Sequence, residues 1–249
     1  MVEQFQRAFA GHFSPNQPIY FLFGPEKPAA KFQFSFKYLI LGDQAASIPL
    51  RSSLHGLYFG YTQRSLWDVT ASSSPFYDTS YMPELTYESL TSVAGWEAHG
   101  GYHWLGYQTA VQHESNGRPD PDSRSTNIVY LRPMLGFGRP AGWWLVFAPK
   151  LYFNIGGLSD NPDLPIYRGY GEYSMIVSKG NRLSLALTGR IGSHWDKGSI
   201  QADLTYPLQA PVGGFATYLL VQYFNGYGES ILDYNQKSST VRGGVSLVR

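Results

Sequence analysis

Trp104-Leu105-Gly106-Tyr107-Gln108-Thr109-Ala110-Val111-Gln112-His113-Glu114-Ser115 is the stretch that decides the fold. Its odd-numbered residues are mostly apolar, and its even-numbered residues are mixed, with Gln108 and Gln112 as the polar signal. Side chains of a β-strand point alternately to two faces, so this pattern predicts a strand. His113 and Ser115 share the more apolar face, which is an unusual place for polar groups unless a reaction occurs there.

Comparable alternating runs, separated by turn-forming residues, continue along the chain. We therefore predict an all-β fold, a single antiparallel transmembrane β-barrel of about 12 strands, since strands of this length cross an outer membrane when tilted. Residues 1–17 are expected to form an N-terminal arm and residues 18–249 the barrel. The predicted strands are 19–24, 32–39, 57–69, 83–92, 104–115, 127–135, 143–154, 170–177, 182–191, 200–206, 215–225 and 240–247.

The composition excludes several classes of protein. Among 249 residues the net charge is +1 and there is no cysteine, so a basic nucleic-acid surface, disulfides and thiol chemistry are not expected. Aromatic residues make up 16% of the chain and there are 27 glycines, which favours β-structure. No apolar run is long enough for a transmembrane helix. The mean hydropathy of −0.24 resembles that of a soluble protein, but a membrane barrel has the same average.

Alternation alone leaves open which face is inside. A soluble β-protein would turn its charged face out, whereas a membrane barrel would enclose it. The same choice applies to the aromatic residues near strand ends, which would form an interfacial girdle in one case and fill a core in the other. The charged positions are Arg64, Asp68, Arg132, Lys150, Arg182, Arg190, Asp203 and Arg242, and the aromatic ones are Trp67, Tyr81, Trp143, Trp144 and Tyr223.

The pair His113-x-Ser115 has the elements of nucleophilic catalysis. A serine hydroxyl needs a base to remove its proton, and the imidazole needs a third group to orient it. Asn127 begins the next predicted strand with the same parity, so an antiparallel turn over 116–126 would bring it beside His113. A lone His-x-Ser also arises by chance, and the motifs of α/β-hydrolases, nucleotide-binding folds and zinc sites are missing.

The loop that follows, from Gly117 to Ser125, is rich in oxygen donors. Calcium prefers carboxylate, hydroxyl and carbonyl oxygens, and a cation beside Ser115 could stabilise an oxyanion together with a backbone N–H near Gly117. The alternative is an ordinary turn, because Asp, Ser, Pro and Gly are common turn residues.

The segment from His113 to Asn127, HESNGRPDPDSRSTN, closely resembles the active-site signature of the outer membrane phospholipase A family. Further resemblances follow in chain order at 61–67 (YTQRSLW), 73–76 (SSPF), 159–163 (SDNPD) and 226–235 (GYGESILDYN). Together they cover 61–235, while the segment before residue 57 matches poorly.

This resemblance implies a calcium-dependent phospholipase A1/A2 in the outer membrane of a Gram-negative bacterium, acting on phospholipids and lysophospholipids. Ser115 would be the nucleophile, His113 the base and Asn127 the orienting residue. The Gly117 N–H would contribute to the oxyanion hole.

The resemblance also implies a metal site and activation by homodimerisation. Calcium would be held by the Ser123 hydroxyl and the Arg118 carbonyl, with Ser73 supplied by the other subunit. Asp120 and Asp160 match a second calcium site of the monomeric form. Gln63 matches a polar residue of the dimer interface, and its parity places it on the lipid face, where an unpaired amide would be costly.

The chain departs from the family pattern at a few positions. Glu114 replaces an aspartate, and Pro119 and Asp122 replace a serine and a threonine. The N-terminal residues lack the apolar stretch of a signal peptide, so either a signal has been removed or the chain stays in the cytosol. The last residues, Val245–Arg249, lack a terminal aromatic residue, which weighs against efficient insertion.

The competing hypothesis is a non-enzymatic barrel, namely a small channel, a structural outer-membrane protein or a soluble carrier. The expected partners of the enzyme are the phospholipid, the membrane and a second copy of the chain, and no nucleic acid.

Overall fold

The computed structural model describes residues 12–40, 56–208 and 216–248. The described residues form thirteen strands and two short helices, α1 (Ala94–His99) and α2 (Leu164–Arg168). The strands are β1 (Phe13–Ser14), β2 (Ile19–Phe23), β3 (Ala30–Leu39), β4 (Leu57–Trp67), β5 (Phe76–Leu90), β6 (His103–Ser115), β7 (Ser125–Gly138), β8 (Trp143–Asn154), β9 (Gly171–Lys179), β10 (Ser184–Ile191), β11 (Gly198–Pro207), β12 (Tyr218–Tyr227) and β13 (Lys237–Val248).

Strands β2 to β13 close into a twelve-stranded antiparallel barrel, which confirms the predicted fold class. Each strand pairs with its neighbour in sequence, and β13 pairs with β2, where Gly243 lies opposite Phe23. Part of the predicted arm is also ordered, because β1 pairs with Tyr38 and Lys37 of β3. Among the described residues, no helix is both long enough and apolar enough to cross a membrane.

Side-chain burial shows which face of the wall is inside. Large apolar side chains such as Phe34, Val111 and Val221 are about half exposed on the outer face. In contrast, Lys31 and Arg242 are 1% exposed and point inward. A soluble barrel would have the reverse arrangement, so the alternative left open by the alternation is resolved in favour of a lipid-facing outer wall.

The lumen is filled by paired polar groups. Glu229 accepts hydrogen bonds from Lys31 at 3.2 Å and from Arg242 at 2.6 Å, and Glu172 accepts one from Arg190 at 2.6 Å. Buried charges are costly unless they are paired, so these contacts are required for an interior of this composition.

Several sequence-based assignments differ from the structure. Strand β5 begins at Phe76 and not at Pro83, because the polar run before Pro83 obscures the alternation, while Pro83 itself faces outward opposite Tyr61. Arg182 lies in the turn before β10 and is exposed, and Asp68 follows the end of β4. Trp144, a predicted girdle residue, packs against Trp96 and donates a hydrogen bond to the Gly180 carbonyl. Its side chain therefore covers the end of a strand.

The end of the barrel that carries segment 116–124 is called here the upper end. The antiparallel strand order places connections 24–29, 68–75, 155–170, 192–197 and 228–236 at the same end. Connection 155–170 contains α2, whose Arg168 carbonyl accepts the Tyr152 hydroxyl at 3.0 Å. These connections surround the residues that the sequence singles out. The predicted connection 41–54 and arm residues 1–11 lie outside the described residues.

Candidate active site

The register of β6 and β7 brings His113 and Asn127 directly opposite each other on the outer wall. The Nδ1 atom of His113 lies 2.8 Å from Oδ1 of Asn127. An amide oxygen can only accept, so Nδ1 carries the hydrogen and Nε2 is the nitrogen free to act as a base. The neighbouring strands therefore supply the orientation that a catalytic imidazole needs.

Ser115 ends β6 on the same outward face as His113. Its backbone pairs with Ser125 on one side and with Tyr81 on the other. The Ser115 hydroxyl has no hydrogen-bond partner within the described residues, so the imidazole and the hydroxyl are neighbours without a formed hydrogen bond. Catalytic hydrogen bonds are often long without substrate and shorten when it binds.

Asn116 organises the turn that follows Ser115. Its side chain is 5% exposed, and its Oδ1 accepts the backbone N–H groups of Arg118 at 3.3 Å and Arg124 at 3.0 Å. Its Nδ2 donates to the Asp122 carbonyl at 2.8 Å. With these bonds made by Asn116, the N–H of Gly117 keeps no partner in the described part of the chain.

Gly117 occupies a conformation that favours glycine. Its φ is +67°, and a Cβ atom there would lie 3.1 Å from the Tyr81 ring. A left-handed residue turns successive N–H groups toward one side, an arrangement that binds anions. The segment can therefore present a donor beside Ser115.

Glu114 lies between the two outward residues and points into the lumen. Its carboxylate accepts hydrogen bonds from Arg168 of α2 at 2.9 Å and from Ser80 at 2.9 Å, and Arg64 lies 3.8 Å away. These contacts fix the upper end of β6 from its lumen side. The lumen thus accommodates the Glu114 side chain.

Asp160 joins the connection 155–170 to the loop after Ser115. Its Oδ2 accepts the Ser123 hydroxyl at 3.0 Å and lies 3.5 Å from the Ser125 hydroxyl. The next residue, Asn161, is fully buried and accepts the backbone N–H of Ser125 at 2.9 Å. The structure thus brings together Ser123 and Asp160, which lie 37 residues apart.

The other predicted ligands are more open. Arg118 donates its guanidinium to the Tyr77 carbonyl and lies 3.8 Å from the Asp122 carboxylate. The Asp120 side chain is exposed on the same loop. The exposed Asp122 carboxylate therefore lies beside an arginine.

Ser73 and Gln63 lie on the neighbouring strands and turns. Ser73 is exposed in the turn 68–75 with φ of +63°, and no hydrogen bond joins it to segment 116–124 among the described residues. Gln63 faces outward as its parity predicts, but its amide is not unpaired. It accepts the Tyr61 hydroxyl at 3.1 Å and donates to Ser65 at 3.3 Å.

Sequence reasoning missed several residues that shape the site. Asn116 was visible as an Asn-Gly pair, a common turn signal, but its role inside the loop was not inferred. Asn161 and Arg168 reach the site from a different connection, and no local pattern indicates their targets. Asp78, which is buried, accepts Ser230 at 2.5 Å and so ties connection 228–236 to β5.

The oxygen donors near Ser115 are compatible with a hard cation. The described residues contain no group of three or more His, Asp or Glu side chains that could hold a metal. However, Asp160 Oδ2 and the hydroxyl of Ser123 form a carboxylate–hydroxyl pair, and loop carbonyls are close by. Calcium binds mixed sets of this kind, with one carboxylate and several neutral oxygens.

Comparisons with known proteins agree with this geometry. The family model described as phospholipase A1 matches residues 10–247. The phospholipase A1 of Salmonella typhimurium is 37% identical over 191 residues, which is 75% of this chain and 60% of that protein. The chain therefore spans less than two thirds of the length of that relative.

Solved structures show the same fold. The outer membrane phospholipase A of Escherichia coli superimposes with a TM-score of 0.71 at 27% identity, covering 94% of this chain and 91% of that one. The Salmonella typhi outer membrane phospholipase, a dimer with bound calcium, gives a TM-score of 0.73 at 28% identity with the same coverage. From the match over almost its whole length, the chain belongs to the phospholipase A1 family.

Proposed function

We propose that this protein is an outer-membrane phospholipase that hydrolyses acyl esters with Ser115 as the nucleophile. The observation that carries the proposal is the 2.8 Å contact between His113 and Asn127 on the lipid-facing wall, beside Ser115. A buried soluble active site would have to draw the lipid out of the membrane. Here the nucleophile faces the layer in which the substrate is dissolved.

In the proposed mechanism, His113 Nε2 takes the proton of the Ser115 hydroxyl as its oxygen attacks the ester carbonyl. The N–H of Gly117 stabilises the negative oxygen of the tetrahedral intermediate. The imidazolium then gives its proton to the leaving alcohol, which departs as a lysophospholipid. Water repeats the sequence on the acyl-serine, with His113 as the base, and releases the fatty acid.

Asn127 contributes orientation rather than charge. Its neutral amide fixes the ring tautomer through the Nδ1 hydrogen bond but gives the imidazolium less stabilisation than a carboxylate would. Because the same triad would act on any accessible acyl ester, the proposal extends to both ester positions of phospholipids and to lysophospholipids.

We infer that the enzyme depends on calcium. Ser123 and the Arg118 carbonyl would hold the ion of the active site, together with Ser73 of a second subunit, and Asp120 and Asp160 would serve a second calcium site next to it in the monomer. A calcium ion held by these oxygens would supply positive charge that stabilises the oxyanion. The carboxylate–hydroxyl pair of Asp160 and Ser123 supports this assignment.

Activation by dimerisation is the second regulatory part of the proposal. Ser73 lies exposed in its turn, so it is available to the site of a second subunit. Gln63 has partners within its own chain, but its amide on the lipid face retains one further donor and one further acceptor. A two-fold axis would pair them with the same groups of a second subunit. A monomer would lack the contribution of Ser73.

The test is hydrolysis of a diacyl phospholipid by the refolded barrel in detergent. We expect Ser115→Ala and His113→Ala to be inactive while the barrel stays folded, and Ser174→Ala, a matched change on β9, to be active. Chelation should silence the wild type and added calcium restore it, and Ser123→Ala should raise the calcium requirement. Full activity of Ser115→Ala would refute the mechanism.

The dimer is tested separately. Crosslinking in detergent should show dimers under the conditions that support hydrolysis, and Gln63→Ala should weaken both. Monomers that hydrolyse at the full rate would exclude activation by dimerisation. The non-enzymatic alternative predicts ion conductance in a planar bilayer, whereas the charged network in the lumen supports a closed pore.

A further inference from the structure

A groove runs down the outer wall directly below the pair His113 and Asn127. Its volume is about 300 Å³. It lies on the outer face of β6, β7 and β8, on the side of Ser115 away from β4 and Gln63. Its main lining residues are Thr109, Val129, Leu131, Leu151, Phe153 and Tyr170.

The groove is continuous with the candidate active site. Val129 follows Asn127 by two residues on the same face of β7 and pairs with Val111 and Phe153. Leu131 lies four positions beyond Asn127, which is about 13 Å along a strand. Half of a hydrocarbon core about 30 Å thick is about 15 Å, so the path from Asn127 to the lower end of the groove is close to the depth of one leaflet, the length available to one acyl chain.

The shape of the groove comes from differences in side-chain height. Leu151 and Phe153 are 48% and 59% exposed and form one wall, whereas Val129 and Thr109 are partly buried and form the floor. The Thr109 hydroxyl donates to the Tyr130 carbonyl at 2.8 Å, so it presents no free donor to a ligand. The groove therefore presents an apolar surface to a ligand.

Two prolines mark the lower end of the groove. Pairing of β7 with β8 stops after Leu131 and Leu151 and resumes at Leu135 and Phe147. Pro133 and Pro149 lie within this interruption, and neither can donate to the ladder. The wall is consequently irregular where the terminal part of an acyl chain would lie.

The positions of Ser115 and His113 indicate which chain enters the groove. The leaving alcohol must face His113, because the imidazolium gives it a proton. His113 lies between Ser115 and the groove along β6. The glycerol and everything attached to it therefore point toward the groove, while the acyl chain being cleaved points away.

We propose that this groove binds the second acyl chain of a diacyl phospholipid, the chain that stays on the leaving lysophospholipid. The inference rests on the proposed phospholipase function and assigns a second substrate contact to that site. Membrane lipid is as apolar as the groove, so the contact adds little affinity. Its contribution is to align the glycerol oxygen with His113.

The first test needs no variant. The substrates are phospholipids with one straight ester-linked chain and one ether-linked chain that cannot be cleaved, either straight or methyl-branched. A lysophospholipid with the same ester is the reference, because it has no second chain. We expect the wild type to cleave the straight form about tenfold faster than the branched form in kcat/KM, the scale on which a pocket discriminates small apolar groups.

The second test fills the groove. Val129→Trp and Leu131→Trp should lower the ratio of diacyl to lysophospholipid kcat/KM by about tenfold, while the lysophospholipid rate reports the triad itself. Val221→Trp is the matched control, since Val221 is 50% exposed on the outer face of β12, away from the site. This control should keep the wild-type ratio.

The outcomes separate the two proposals. Equal rates on straight and branched chains overturn the groove and leave the phospholipase function standing, as does an unchanged ratio in a folded Val129→Trp barrel. A variant that loses both substrates equally also overturns the groove, because the ratio that the groove is proposed to set has then not changed. If neither Trp variant inserts, the lipid comparison decides. A Ser115→Ala barrel as active as the wild type refutes the function itself.

Discussion

Replacing Asn127 by alanine removes one hydrogen bond to His113. It removes no charged group. The bond is 2.8 Å long and its acceptor is a neutral amide. A neutral hydrogen bond contributes about 0.5–1.5 kcal/mol net. Each 1.36 kcal/mol in a barrier changes a rate tenfold, so we expect kcat to fall by about 2-fold to 10-fold. The loss of Ser115 should be larger by several orders of magnitude.

The assay is diacyl phospholipid hydrolysis at saturating calcium, with Asn154→Ala as the matched control. The Asn154 amide also accepts a bond across the ladder, from Thr126 at 2.9 Å, but it lies on the inward side of the wall. The control should keep the wild-type kcat. If Asn127→Ala is as inactive as Ser115→Ala, the residue does more than orient the ring, and if it is fully active, the contact is not used.

Three further changes test the supports of the site. Arg168→Met removes the cation that lies 2.9 Å from the lumen-facing Glu114, so the free energy of unfolding should fall by about 3 kcal/mol in a denaturant titration; no loss would deny the pair a structural role. Gly117→Ala forces a side chain into a left-handed conformation at a cost of about 1 kcal/mol, and hydrolysis should fall with little change in the unfolding midpoint. Burial raises the pKa of Glu229, but Lys31 and a neighbouring arginine outweigh it and lower the pKa below its ordinary value of 4.5. Because a depressed folded-state pKa gives stability above the unfolded value, the barrel should weaken as the pH falls below about 4.5, and Glu229→Gln should flatten that dependence.

The pairing of His113 with Asn127 can be predicted from the local sequence pattern. The period of two along β6 and β7, with turn residues between them, places Asn127 opposite His113 in an antiparallel hairpin. The same parity gives the outward direction of Gln63. It does not give the partners of Gln63, because Tyr61 and Ser65 reach it along one strand face, and their rotamers depend on packing.

Contacts between different connections could not be predicted from the chain. Ser123 meets Asp160 and Glu114 meets Arg168 only after the barrel closes. Such contacts depend on the shape of irregular segments, for which the sequence carries turn signals but no period. The start of β5 was missed for a related reason, since a polar lumen-facing run near the upper end looks like a loop.

The wall of this barrel is a single sheet, so the side chains of adjacent residues face two different environments, the lumen and the lipid. Glu114 points into the lumen, where it pairs with Arg168 of α2, while its two neighbours lie on the outer face of the wall. A compound that enters the lumen from water and displaces Arg168 from Glu114 would therefore disturb the position of Ser115 without dissolving in the bilayer. If hydrolysis by Ser115 is confirmed, a water-soluble ligand of the lumen is expected to inhibit it.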